Sequence, residues 1–194
     1  MDTIADFLDD WGRRWAEAIA AAVGALPADV TAGRIYGAAV TVADGNTVPG
    51  LLVQTESRLA AITDPEADPA TARYYRWWPD ESGLEVTDDA LAALSSELGA
   101  WAEAHPQVTT EPGEDFLLWS EGWVVNSDRA LVAAMGSSSV RQAFASHELD
   151  PVLVVTETDG GASRALAAFD ALNSDRDDDL AVDARLFWQE NAGS

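Results

Sequence analysis

The chain has 194 residues, 47% of them apolar and eight of them Trp, which is enough for one domain to bury a core without a metal or a disulfide. Its 34 acidic residues against 11 basic ones give a net charge of −23, which argues against nucleic acid as a partner, because phosphate affinity needs clustered cations. There is no Cys, and no apolar run approaches 18 residues, so disulfides, thiolate chemistry and a membrane-spanning helix are not expected.

Ile4, Phe7, Leu8, Trp11, Trp15, Ile19 and Val23 recur at steps of three and four and predict an amphipathic helix over 3–24, with Thr3 or Asp2 as its cap. The β-branched and aromatic content of 34–42 predicts a strand. Asp44-Gly45-Asn46 turns the chain, and Thr47–Thr55 returns as the second strand of a hairpin with Pro49-Gly50 disturbing its start. A short helix over Glu56–Ile62 and a Pro-rich loop over 63–69 follow, then the densest aromatic cluster, 72–81. Thr87 is placed to cap a helix over 88–104 with Leu91, Leu94, Leu98 and Trp101 inward. Residues 107–115 read as a polar loop. Residues 116–125 are either a hairpin turned at Glu121-Gly122 or a helix. A helix beginning at Ser127 or Asp128 runs to Met135, and a break at Gly136 and three serines precedes a short helix over 140–146. Residues 151–156 suit a buried strand, Asp159-Gly160-Gly161 a turn, and 162–172 and 178–189 two helices. With no repeat and no long linker, the expectation is a single α+β domain over 1–194, a mixed or antiparallel sheet of about four strands packed with about five helices.

All 11 bases are Arg, and Asp (21) outnumbers Glu (13). Such a surface reports a GC-rich or saline host, or it is shaped for a basic partner. Gly12-Arg13-Arg14-Trp15 before an Ala-rich stretch faintly mimics an export signal. Four acids in the first eleven residues and Glu17 within the apolar part oppose that, and the expected location is cytoplasmic.

Few constellations carry chemistry. Asn173, Asp175, Asp177 and Asp179 alternate as in a calcium loop, but the required Gly and Glu positions hold other residues, and caps for the last helix explain the acids. His105 and His147 lie near predicted helix ends with no metal-ligand spacing. No Gly-x-Ser-x-Gly elbow exists, and the absence of Lys excludes the usual phosphate loop. Carboxylate pairs such as Glu111 with Glu114 or Asp80 with Glu81 arise by chance among 34 acids. No cofactor is therefore expected and no catalytic residue is assigned. The feature that stands out is Tyr74, Tyr75, Arg76, Trp77, Trp78, Asp80 and Glu81. These residues either plug an edge of the core or form a partner-binding face, since exposed Trp, Tyr and Arg dominate binding energies.

Tyr75-Arg76-Trp77-Trp78-Pro79-Asp80-Glu81 is similar to the Arg-Trp-Ser-Pro-x-Glu-Trp segment of the bacterial domain-of-unknown-function family 4303. The opening helix followed by Ile35–Val42, and the strand Val152–Thr156 followed by a helix ending at Leu172-Asn173 and a Trp-bearing last helix, extend the resemblance over most of the chain. Ser82 stands where that family's second Trp is expected, and 107–146 departs from it. The resemblance implies a small cytoplasmic bacterial protein of the kind that accompanies toxins as an immunity partner. Two functions follow. The first is a non-catalytic acidic domain that binds a basic protein, concretely a toxin. The alternative is a small hydrolase using carboxylates with His105 or His147, or an orphan domain whose acidity only reflects its host. Oligomeric state is not legible.

Overall fold

The computed structural model describes residues 4–43, 46–105, 120–158 and 161–192. The Thr3 or Asp2 cap, Asp44-Gly45, the 107–115 loop with Glu111 and Glu114, and Asp159-Gly160 lie outside the described residues.

Helix α1 (Ile4–Gly24) buries Leu8, Trp11, Trp15, Ile19 and Val23, the stripe its spacing predicts. A single turn, α2 (Ala28–Ala32), follows Pro27, where the sequence pattern predicts no helix. Strands β1 (Ile35–Ala43) and β2 (Val48–Thr55) form the expected antiparallel hairpin, with Val40 opposite Leu51 and Val42 opposite Pro49. Asn46 holds φ 68° at its turn, a left-handed conformation that Asn tolerates better than most residues. The Thr55 hydroxyl accepts from the Arg58 N–H and starts α3 (Glu56–Ile62). Asp68 caps α4 (Pro69–Trp77), which leads through α5 (Pro79–Ser82) into a three-residue strand, β3 (Gly83–Glu85). The cap of α6 (Asp89–Ala104) is Asp88 and not Thr87, because the Asp88 carboxylate accepts from the N–H groups of Ala90 and Leu91.

A π-helical turn (Ser120–Val124) runs straight into α7 (Val125–Met135). Glu121-Gly122 therefore turns no hairpin, and neither Ser127 nor Asp128 begins the helix: Val124 is already helical, so α7 needs no side-chain cap. Ser137 caps α8 (Ser138–Ala145). Strand β4 (Val152–Glu157), α9 (Ala162–Leu172) and α10 (Asp179–Asn191) complete the described chain, and the cap of α10 is Asp178, not one of the alternating Asn173, Asp175, Asp177 and Asp179.

The four described strands lie in the order β3-β2-β1-β4; β1 is antiparallel to β2 and parallel to β4, giving a mixed sheet. Helices α1, α6, α7 and α8 cover one face through Ala38, Val40, Val42, Leu51 and Val53. Helices α4, α9 and α10 cover the other through Tyr36, Ala39, Val152 and Val154. Strand β1 is thus buried on both sides, which is why its sequence reads as a continuous apolar run. The result is one α+β domain, and five of its described helices have eleven residues or more.

Candidate functional site

The aromatic segment divides into an inner and an outer set. Helix α4 turns Trp77 inward, 2% exposed, edge-on to Tyr36 at 5.6 Å, with its indole N–H donating to Asp183 Oδ2 at 2.7 Å. Trp77 is therefore placed in the core, the first of the two roles the sequence left open for it. Arg76 is turned onto Glu56, donating to both carboxylate oxygens at 3.0 and 3.2 Å, and its guanidinium lies 4.9 Å from the Tyr36 ring centre. The Arg76 carbonyl accepts from the Tyr36 hydroxyl and from the Gln54 amide, both at 2.8 Å. Burial of Tyr36 pushes its phenol up to about 12.

The outer set stays at the surface. Tyr74 is exposed and stacks on half-buried Trp78 at 5.7 Å, and Tyr75 meets Tyr74 edge-on at 5.9 Å. Trp78 rests on Trp188 and Phe187 of α10, at 5.6 and 6.3 Å between ring centres. Asp80 and Glu81 are exposed on α5, and the Tyr74 hydroxyl reaches Glu81 Oε1 at 3.4 Å. Of the seven residues singled out, five form an aromatic and acidic patch, and Arg76 and Trp77 support it from below.

A second feature lies at the carboxyl end of β1, where it runs parallel to β4. A cleft of about 640 Å³ opens there, between the start of β2, the segment 85–89 and the first turns of α6. Carboxyl ends of parallel strands are where ligands gather in layered sheets, and this volume falls within the roughly 300–1,000 Å³ of ordinary binding pockets. The floor includes Trp15, Val42 and Leu51, and Glu85, Asp88 and Asp89 line its wall. Nothing in the sequence pattern marks it: Trp15 reads as core and Asp88-Asp89 as a helix start, and only the fold brings them together.

Beside this end of the sheet, Arg164 of α9 is part-buried among acids. It pairs with Asp128 of α7 and with Glu157 Oε1 at 2.9 Å, and donates to Asn46 Oδ1 at 2.9 Å. The Asn46 amide in turn donates to Ser127 Oγ and Asp128 Oδ1, both at 2.8 Å. Burial pushes the Asp128 carboxyl up from its ordinary range, against the pull of Arg164. This cluster ties α7, α9 and the hairpin turn together, with one guanidinium shared between two carboxylates.

No family model, curated protein or solved structure matches the chain.

The two histidines stand apart from the cleft. The His105 ring stacks on Trp101 at 4.1 Å, and its Nδ1 lies 2.8 Å from the Trp101 carbonyl oxygen. The His147 Nε2 lies 3.0 Å from the Val23 carbonyl oxygen. Neither lines the cleft, so the structure does not bring the histidines of the hydrolase alternative to the carboxylates there. Among the described residues no three His, Asp or Glu side chains are grouped to hold a metal ion, and no helix is long and apolar enough to cross a membrane.

Proposed function

We propose that the chain is an acidic protein-binding domain with a basic partner, and more concretely an immunity protein that neutralises a basic bacterial toxin in the cytoplasm. The observation that carries this reading is the make-up of the outer patch. Tyr74 and Trp78 stack at the surface beside exposed Asp80 and Glu81, while the neighbouring cation, Arg76, is held inward by Glu56. Rigid, partly exposed Tyr and Trp are the side chains that dominate binding energies, and acids beside them select a basic partner and speed its approach.

The charge balance supports the same reading. Arg13, Arg14, Arg73, Arg76, Arg129, Arg164, Arg176 and Arg185 pair with acids of the chain itself. These are eight of the 11 bases, so the surplus of acid faces solvent. The similarity of Tyr75–Glu81 to family 4303 belongs to this proposal and adds the immunity role.

The test is capture of partners on the tagged chain at low salt and at 0.5 M NaCl. One basic protein, held at low salt and released at high salt, is expected. Tyr74→Ala with Trp78→Ala is expected to weaken that binding at least tenfold, on the order of the 1.4 kcal/mol or more that hot-spot residues carry. Binding indifferent to both salt and the double substitution refutes the reading.

A further inference from the structure

We infer that the cleft at the carboxyl end of β1 receives an arginine-bearing segment of the partner, with the guanidinium against Glu85, Asp88 and Asp89. This rests on the protein-binding reading above and places a second contact on it, away from the aromatic patch.

The sheet edge explains why the cleft exists. Strand β3 pairs with β2 only over Leu52–Gln54, and the Val86 N–H then closes on the Leu51 carbonyl. Among the described residues, no strand lies on the outer side of 48–50. An open edge invites another strand, but Pro49 lies two residues before Leu51 and so points its backbone the same outward way. It has no N–H to offer there, and Pro at an edge blocks strand addition. The cleft is thus suited to an inserted side chain rather than to a fifth strand. Gly50, with no side chain, leaves Thr41 of β1 to line it as well.

Three observations fix the chemistry of the occupant. The first is charge. Glu85, Asp88 and Asp89 line the cleft, no arginine does, and none of the three acids is in an ion pair among the described residues. Asp88 spends Oδ1 on capping α6 and leaves Oδ2 available. The positive end of the α6 dipole, worth about half a charge, opposes a cation, but three carboxylates outweigh it. The second is the apolar lining of Val42, Leu51 and Leu91, which suits an aliphatic stem.

The third is independent of charge. Trp15 borders the cleft and is fully buried, yet its indole N–H has no acceptor among the described residues. Trp11, stacked against it at 5.2 Å, gives its own N–H to the Leu94 carbonyl of α6 at 2.9 Å. Buried donors are rarely left unpaired, so an acceptor from outside is called for. A positive head, an aliphatic stem and a carbonyl oxygen together describe a basic residue within a peptide. A polyamine lacks the acceptor. Arginine fits better than lysine, because its planar fork matches several carboxylates at once.

The indole N–H signals of ¹⁵N-labelled protein test this directly, with that of Trp15 assigned through Trp15→Phe. Acetyl-Gly-Arg-Gly-amide at low salt is expected to move the Trp15 signal saturably. The same peptide with neutral citrulline in place of arginine is expected to bind at least fivefold more weakly. So is the arginine peptide to Glu85→Gln/Asp88→Asn/Asp89→Asn, in which Asn keeps the helix cap. An unmoved Trp15 signal, or equal affinity for the two peptides, overturns the inference. If the arginine peptide moves the Trp78 signal and leaves that of Trp15 still, the cleft assignment falls while the basic-partner reading stands.

Discussion

Trp77 and Trp78 are adjacent in sequence and opposite in environment. Trp77 is 2% exposed, packs on Tyr36 and donates to Asp183, while Trp78 is half-buried beneath Tyr74. Trp77→Ala opens a cavity and removes a donor from Asp183, so a loss of about 3–5 kcal/mol is expected in denaturant unfolding. Trp78→Ala is expected to cost clearly less stability and to show its main effect on partner binding. Equal losses of stability would place Trp78 in the core and remove it from the binding face. The surface pair Arg14–Glu97 makes a different kind of test. Arg14 donates to both Glu97 oxygens, at 2.7 and 2.6 Å, and these hydrogen bonds hold the Glu97 carboxyl below its ordinary value of 4.5. The stabilisation is present above that value and is lost as pH falls through the lower folded one. Both side chains are a third or more exposed, so solvent screening limits it to about 0.5–1 kcal/mol. Glu97→Gln is expected to show that deficit at pH 7 and to converge on the parent as acid protonates Glu97 below its ordinary range; a deficit constant with pH would mean lost packing instead of lost charge.

At the level of elements, the junction of β1 with α4 and α5 depends on one glycine. The β1–β2 register shifts between Ile35 and Gly37, and the Gln54 side chain fills the space above Gly37. A Cβ at Gly37 would stand 2.4 Å from Gln54 Oε1. Gln54 cannot move aside without losing its bonds to the Arg76 carbonyl and to Ser82 Oγ. Gly37→Ala is expected to cost about 1–3 kcal/mol, the usual range for overpacking. The cost should shrink in a Gln54→Ala background, and a cycle of the two substitutions measures that coupling. Elements of this molecule were legible where one periodicity ran uninterrupted: α1, the hairpin, α6, β4, α9 and α10 stand within a residue or two of their predicted bounds. The short pieces α2, α5 and β3 were not, because three to five residues carry no period and tertiary contact alone decides their form. The start of α7 was missed for a related reason: Ser127 and Asp128 look like caps, but they point into the polar cluster around Asn46 and Arg164. The aromatic segment was visible as a site; its division into inner and outer residues needed the helix phase and Glu56. The cleft was not visible at all, since its acids and Trp15 are some 70 residues apart and each has an ordinary local role.

For the whole molecule, a net charge of −23 acts on folding and on binding with opposite sign under salt. Within the fold, at least eight arginines already pair with acids, so the remaining carboxylates repel one another across the surface. That repulsion opposes the compact state, and it is screened once the Debye length falls to a few ångströms. Raising NaCl from low salt to about 0.5 M, which shortens that length to below 8 Å, is therefore expected to raise the melting temperature. Each 1 kcal/mol gained appears as about 2–4 °C in a chain of this size. The same salt weakens attraction to a basic partner, and for the same reason. Calorimetry of the free chain and titration with the captured partner, both across the same salt series, separate the two effects. A melting temperature that rises while affinity falls is the signature of a surface whose charge is kept for binding at the expense of stability. A melting temperature that rises with no salt effect on any partner would mean the acidity answers to the solvent alone, the reading suited to a saline host. A melting temperature that falls would mean the ion pairs, Arg14–Glu97 and Arg164–Asp128 foremost, outweigh the repulsion between the unpaired acids.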